Sequence, residues 1–204
     1  MKRIILTVFI LGVSLSTLMA QHDVKINALG VFFKNYSVGY EYIINDEMSG
    51  GLSINYAAGS WLLEALNDIE GTNTQYSSFS LTPEFRYYTN PDFGADKRYF
   101  GAYLIYEGVS WDNLTVYDYD NNSKEITYNM KNTGIGIGIM SGQKWVTNSG
   151  IYIETLIGFG RFMSSNTTIS DPRAAEIIDL TEYGYISAWD FRFQIGVGYR
   201  IGGY

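Results

Sequence analysis

The clearest pattern in the sequence is a strict alternation of apolar with polar or small residues near its end. From Trp189 to Ile201 the chain reads W-D-F-R-F-Q-I-G-V-G-Y-R-I, with an apolar residue at every odd position. Successive side chains of a β-strand point to opposite faces, so this segment predicts a strand with one apolar face and one polar or small face. A helix would scatter the same apolar residues around its axis.

The same alternation recurs earlier in the chain. It is regular in the segments 37–42, 51–56, 78–87, 134–139 and 151–160. Two further strands are predicted at 24–33 and 99–110, where the alternation is less regular. The chain thus carries about eight strands, and each is close to the ~9–11 residues that cross a bilayer at a tilt.

The connections between these strands alternate in length, apart from a tight first hairpin at 34–35. Short connections fall near 45–48, 89–97 and 147–149, and long polar ones near 59–75, 111–131 and 163–188. Barrels of the outer-membrane type have short periplasmic turns and longer external loops, so all three long segments fall on the external side. The prediction is an all-β fold, an eight-stranded antiparallel up-and-down transmembrane β-barrel.

Short helices are predicted inside two of the long loops. One spans 60–66, and the other spans 172–180 with Asp171 as its N-cap and Pro172 at its first helical position.

The first twenty residues have the features of a secretory signal peptide. Lys2 and Arg3 precede an apolar run from Ile4 to Leu15, and Ala20 is a small residue suited to cleavage. We expect residues 1–20 to be removed, which leaves one barrel domain at 21–204. The chain has 14 Lys and Arg against 21 Asp and Glu, an acidic balance that argues against nucleic acid as a partner.

Alternation alone does not decide which face meets lipid, because a soluble lipocalin-like barrel points its apolar face inward. The polar face here is rich in Gly and Ser, which suits the crowded interior of a narrow barrel. Tryptophans prefer the headgroup level and fall at predicted strand ends, as interface aromatics should. These are Trp61, Trp111, Trp145 and Trp189. The prediction is a barrel whose apolar face contacts outer-membrane lipid.

Three segments carry a resemblance to known proteins. They are N-A-L-G-V-F-F-K-N-Y-S-V-G-Y-E-Y from Asn27, S-F-S-L-T-P-E-F-R-Y-Y from Ser78 and G-V-G-Y-R-I from Gly196. With them the chain resembles small outer-membrane barrels of the OmpA/OmpX type, and more closely an uncharacterised group of outer-membrane β-barrel domains of unknown function. The resemblance covers nearly all of the chain after residue 20. It implies an architecture and a bacterial outer-membrane location, and it brings no known ligand.

Charged residues on the polar face form a candidate interior cluster. Its members are Glu41, Glu84, Arg86, Glu107, Lys144, Glu154 and Arg192, with Asp190 and Arg200 nearer the rims. Lys144 and Glu154 flank the turn at 147–149 and are predicted to lie nearly opposite each other. Unpaired buried charge is very costly, so these residues must pair if they point into the lumen. The favoured interpretation is an ion-pair plug that fixes strand register, and the alternative is a gate or narrow ion path.

Catalysis has little support in the sequence, and no enzyme is predicted. The only histidine, His22, lies beside the expected cleavage site. Gly134-x-Gly136-x-Gly138 lacks the strand-to-helix context of a dinucleotide fingerprint. In the acidic stretch 118–122 the Gly and distal Glu of an EF-hand loop are not in register, so no metal or other cofactor is predicted. A solvated external loop is the favoured interpretation, and weak divalent-cation binding at the cell surface is the alternative.

The function predicted is therefore a structural or surface-interaction barrel whose external loops contact a surface partner. A narrow transport pore or small-ligand barrel is the alternative, and a soluble periplasmic binding barrel is a third hypothesis.

Overall fold

The computed structural model describes residues 21–59, 64, 67–69, 73–92, 94–118, 124–178 and 188–202. The expected signal peptide at 1–20, Trp61 and most of the helix expected at 60–66 lie outside them. Within the described residues, eight antiparallel strands close into a barrel in which each strand pairs with the next and the last pairs with the first. The strands are β1 (His22–Asn27), β2 (Asn35–Asn45), β3 (Met48–Ala58), β4 (Gln75–Thr89), β5 (Lys97–Asp118), β6 (Lys124–Val146), β7 (Ile151–Ile169) and β8 (Trp189–Ile201). The predicted all-β barrel is confirmed.

The apolar face of the strands points outward. On β8, Phe191 is 76% exposed while the next residue, Arg192, is 8% exposed. On β6, Ile139 is 69% exposed and Lys144 is fully buried. An outer wall of this kind is unfavourable in water and suits the hydrocarbon of a bilayer, where a closed barrel satisfies its backbone hydrogen bonds. The lipocalin-like alternative, with the apolar face inside, is wrong.

The two ends of the barrel differ. Short connections and both termini of the described chain lie at the same end of the barrel, which we call the turn end. The short connections are 46–47, 90–96 and 147–150. In the first of these turns, the Asn45 side chain accepts a 2.8 Å hydrogen bond from the backbone N–H of Met48. In the last, Gly150 takes a positive φ of 84° that favours glycine. None of the helices in the described residues is long and apolar enough to span a bilayer.

The opposite end, which we call the loop end, departs from the sequence prediction at β1. The strand expected at 24–33 stops at Asn27, and a short helix, α1 (Ala28–Phe32), follows it. The Asn27 side chain caps this helix by accepting from the backbone N–H of Gly30 at 3.2 Å. The local cap therefore ends the strand, and the irregular alternation at 24–33 reflects a change of element.

The prediction of a long loop near 111–131 is wrong, because most of this segment forms strand. β5 continues to Asp118 and β6 begins at Lys124, with a bulge between Trp111 and Leu114. The segment expected as a loop at 163–188 is likewise strand as far as Ile169. A second helix, α2 (Pro172–Ile177), then follows with Asp171 as its N-cap, as predicted.

The extended parts of β5, β6 and β7 enclose their own hydrophobic cluster, which we call the loop-end cluster. Its buried members are Ile126, Tyr128, Met130 and Ala174, and Trp111, Leu114, Val116, Ile169 and Ile178 pack against them. Apolar side chains of the strands and of α2 are buried against each other. This burial explains why this part of the chain forms regular structure despite its polar composition.

Candidate functional site

Among the described residues, eight charged side chains point into the half of the lumen that lies nearest the turn end. We call them the lumen network: Asp23, Lys25, Glu41, Glu84, Arg86, Lys144, Glu154 and Arg200. Four are acidic and four are basic, so their formal charges cancel. Each is less than a tenth exposed, which makes mutual pairing necessary.

Arg86 on β4 is the most connected cation of the network. Its Nη1 atom lies 2.9 Å from Glu41 Oε2 and 3.0 Å from Glu154 Oε2. Its Nη2 atom lies 2.7 Å from Glu84 Oε1. The guanidinium also lies 4.5 Å from the centre of the Tyr99 ring. One planar fork of donors thus joins carboxylates from three different strands.

Lys144 on β6 joins the other side of the network. Its Nζ atom donates to Glu41 Oε2 at 2.7 Å and to Asp23 Oδ2 at 2.9 Å. Asp23 also accepts from Arg200 Nε at 2.8 Å. Since Glu41 contacts both Lys144 and Arg86, the ion pairs form one continuous path from β8 to β4.

Uncharged donors bind two of these carboxylates as well. Glu41 Oε1 accepts from Ser49 Oγ and from Tyr88 OH, each at 2.6 Å. Tyr99 OH donates to Glu154 Oε1 at 2.8 Å. Ser49 lies on β3 and Tyr99 on β5, so each of the eight strands named above supplies a side chain to the network or to its hydrogen bonds.

The predicted interior cluster divides into two groups. Glu41, Glu84, Arg86, Lys144 and Glu154 come together in the lumen network. Glu107 and Arg192 lie nearer the loop end and outside the network. There the Arg192 guanidinium lies 4.7 Å from the centre of the Tyr103 ring, and Tyr103 OH donates to Asp190 Oδ2 at 2.5 Å. Glu107 is half-buried on the same side of β5 as Tyr103.

Sequence reasoning missed Asp23 and Lys25. Both lie on β1 and alternate with the outward-facing Val24 and Ile26. That short alternation was a usable signal, but the irregular continuation into α1 hid it. Arg200, which the sequence placed near a rim, is 2% exposed and belongs to the network.

Glycines on the lumen face make room for tyrosine rings. Tyr103 is the register partner of Gly138, and Tyr99 is the register partner of Gly142. A Cβ atom added at Gly138 would lie 2.6 Å from Cε1 of Tyr103. The ring therefore lies across the neighbouring glycine, an arrangement that pins strand register.

The predicted interface tryptophans have different environments. Trp145 near the turn end and Trp189 at the loop end are 53% and 44% exposed on the lipid-facing wall. Trp111 differs from the prediction, because it shares the lumen side of β5 with Tyr103. Its ring lies 4.7 Å from that of Tyr76, and it packs against the loop-end cluster rather than towards lipid.

The described residues include no group of three His, Cys, Asp or Glu side chains that could hold a metal ion. The acidic stretch at 118–122 lies almost wholly outside those residues. His22 is on β1, where its Nδ1 atom lies 2.6 Å from Tyr40 OH.

Comparison with solved structures identifies the same architecture elsewhere. A major outer membrane protein from Thermus thermophilus superposes with a TM-score of 0.51 at 11% identity, over 89% of this chain and 99% of that one. CarO2 from Acinetobacter baumannii gives a TM-score of 0.47 at 12% identity, over 90% and 98% of the two chains. No curated protein matches the sequence.

The similarity to the Thermus thermophilus protein confirms the resemblance to small outer-membrane barrels at the level of the fold. Together with the apolar outer wall, the fold makes this chain a β-barrel protein of the bacterial outer membrane. A family model described as "Protein of unknown function (DUF3575)" matches residues 4–176. The chain therefore belongs to the DUF3575 family.

Proposed function

We propose that this protein is a closed scaffold of the outer membrane, whose lumen does not conduct ions and whose loop end meets a partner at the cell surface. The observation that carries the proposal is the lumen network. Its cations and carboxylates approach to 2.7–3.0 Å at Arg86 and Lys144, and all eight named strands hold it in place.

Two physical arguments favour a closed lumen. An eight-stranded barrel has an interior only just wide enough for side chains to fill. A passing ion would also have to separate buried ion pairs, and breaking such a pair costs about 3–5 kcal/mol. The tyrosine rings that cover the lumen glycines narrow the same space.

The extended sheet favours a role at the surface. Pairing of β5 with β4 ends at Asp112, and pairing of β7 with β8 ends at Arg161. Beyond these residues β5, β6 and β7 continue together above the barrel wall, stiffened by the loop-end cluster. A rigid, raised sheet offers a preordered surface to a partner, which lowers the entropic cost of binding.

Conductance in planar bilayers tests the closed lumen. We expect no stable open channel from the purified, folded protein. A reproducible single-channel current would overturn the proposal and support the narrow transport pore instead. Folding is checked beforehand on gels of unboiled and boiled samples, because an intact barrel migrates differently until it is heated.

Single cysteines test the orientation, since the chain has no cysteine of its own. Glu125→Cys lies on the exposed surface of the extended sheet, and Asn148→Cys is the matched control in an exposed turn of the turn end. A membrane-impermeant maleimide added to intact cells should label the first variant and spare the second. Labelling of Asn148→Cys alone would place the extended sheet in the periplasm and overturn the surface role.

A further inference from the structure

One part of the lipid-facing wall interrupts its apolar pattern. Arg98 on β5 is the register partner of Gln143 on β6, and Gln143 is the register partner of Thr155 on β7. All three share the outward face with Phe100 and Trp145, which are 53% exposed. They form a polar row across three adjacent strands.

The polar row borders a cleft of about 310 Å³ in the outer wall. Of the residues that line this cleft, Arg98, Gln143 and Thr155 lie in one register row, and Ile157 and Phe193 lie in the next row with Ser141. Ile157 lies further along β7 towards the loop end than Thr155, so the apolar side of the cleft faces the middle of the membrane. The cleft therefore changes from polar near the turn end to apolar towards the middle of the membrane, as a lipid molecule does from its headgroup to its acyl chains.

The polar groups of the row have no partners within the described part of the chain. Arg98 forms no ion pair there, and the Gln143 amide forms no hydrogen bond. Ser141, which also lines the cleft, is satisfied because its Oγ donates to the backbone oxygen of Tyr99 at 3.1 Å. An unpaired cation and amide on a lipid-facing wall are costly unless an outside group satisfies them.

Trp145 indicates the depth of the cleft. It lies on the same outward face two residues nearer the turn than Gln143, and indole rings prefer the headgroup level. Arg98 is the second residue of β5, and a long arginine side chain can reach from there towards the interface. The guanidinium is thus within reach of headgroup phosphates in the leaflet at the turn end.

We propose that this cleft binds one phospholipid of the periplasmic leaflet through its phosphate. The Arg98 guanidinium pairs with the phosphate oxygens, and the Gln143 amide and the Thr155 hydroxyl donate further hydrogen bonds to them. Planar guanidinium groups match phosphate geometry in a bidentate manner. An acyl chain of the same lipid lies against Ile157 and Phe193. This inference rests on the orientation in the proposed function, with the turn end in the periplasm, and it does not depend on whether the lumen conducts.

Native mass spectrometry of the folded barrel, released from detergent micelles that contain phosphatidylglycerol, tests the proposal. We expect Arg98→Gln to weaken binding of the first lipid about tenfold, as loss of a charge-assisted contact should. Arg98→Lys should retain part of the affinity. Arg173→Gln is the matched control, because it removes the same charge from α2 at the far end of the molecule.

Two outcomes would overturn the proposal. One is equal lipid affinity for the wild type and Arg98→Gln, when the heat-dependent gel shift shows that both proteins are folded. The other is displacement of the bound lipid by excess inorganic phosphate, which would indicate a site for a free anion. Retention of the lipid in excess phosphate supports the site as proposed.

Discussion

Lys144 on β6 and Glu154 on β7 are register partners, yet each directs its charge across the lumen to other strands. Lys144 Nζ donates to Asp23 on β1 and to Glu41 on β2. Glu154 accepts from Arg86 on β4 at 3.0 Å. The ion pairs therefore tie opposite walls of the barrel together, whereas a pairing along the β6–β7 hairpin would have tied only neighbours.

A double-mutant cycle should reveal this arrangement. We expect the coupling free energy between Lys144→Met and Glu41→Gln to be about 1–3 kcal/mol, because their atoms are in direct contact. The coupling between Lys144→Met and Glu154→Gln should be smaller by about 1 kcal/mol or more. Urea unfolding of the barrel in lipid vesicles, followed by tryptophan fluorescence, measures both. Equal couplings would contradict the cross-lumen pairing.

Arg86→Met should be among the most destabilising substitutions in the protein. It would leave Glu41, Glu84 and Glu154 buried without their shared cation. Removal of one partner from a buried ion pair costs about 3–5 kcal/mol, and the same urea experiment measures the loss.

Arg161→Met provides the control for this substitution. Arg161 faces outward on β7, where its guanidinium lies 5.3 Å from the centre of the Trp189 ring. An exposed contact of this kind is worth about 0.5–1 kcal/mol. If both variants lose similar stability, the lumen network contributes no more than an ordinary surface contact.

The fold could be predicted well from the sequence where alternation is unbroken, as in β8. It could not be predicted at the loop end, because there the outcome depends on tertiary partners. The polar segment near 111–131 forms strand since β5 and β6 pair with each other and bury Ile126 and Met130. A bulge beside Trp111 also changes the pairing register, which no sequence period signals.

The site was only partly predictable for a related reason. Alternation identifies which residues point inward, and so it found Glu41, Arg86 and Lys144. It does not identify contacts across the lumen, because those depend on strand tilt and stagger in the closed barrel. Asp23 was missed because β1 has only 6 residues, and the last of them, Asn27, already caps α1.

The N-terminus of α2 should respond to acid. Hydrogen bonds from the Arg173 side chain and from its backbone N–H hold the pKa of Asp171 below its ordinary value. At a pH above the ordinary pKa of an aspartate, the carboxylate is ionised and stabilises α2. This stabilisation is lost as the pH falls through the lowered pKa of Asp171. Amide chemical shifts of Arg173 and Ala174, followed by NMR during an acid titration, measure this transition.

Asp171→Asn separates the cap from the charge. Asparagine is an equally good N-cap, so α2 should form while the acid transition disappears. Asp171→Ala should instead weaken α2 at every pH. Persistence of the transition in Asp171→Asn would mean that another group titrates.

Two glycines offer a matched test of the tyrosine packing in the lumen. An alanine at Gly138 would bring its Cβ to 2.6 Å from Cε1 of Tyr103 and would force the ring away from its 2.5 Å hydrogen bond to Asp190. Overpacking of this kind costs about 1–3 kcal/mol. At Gly50, on the outward face of β3, an added Cβ meets nothing within 4 Å, so Gly50→Ala should change stability by less than about 0.5 kcal/mol. Urea midpoints of the two variants compare them directly. Equal midpoints would show that the Tyr103 ring adapts freely and that the lumen is less tightly packed than its geometry indicates.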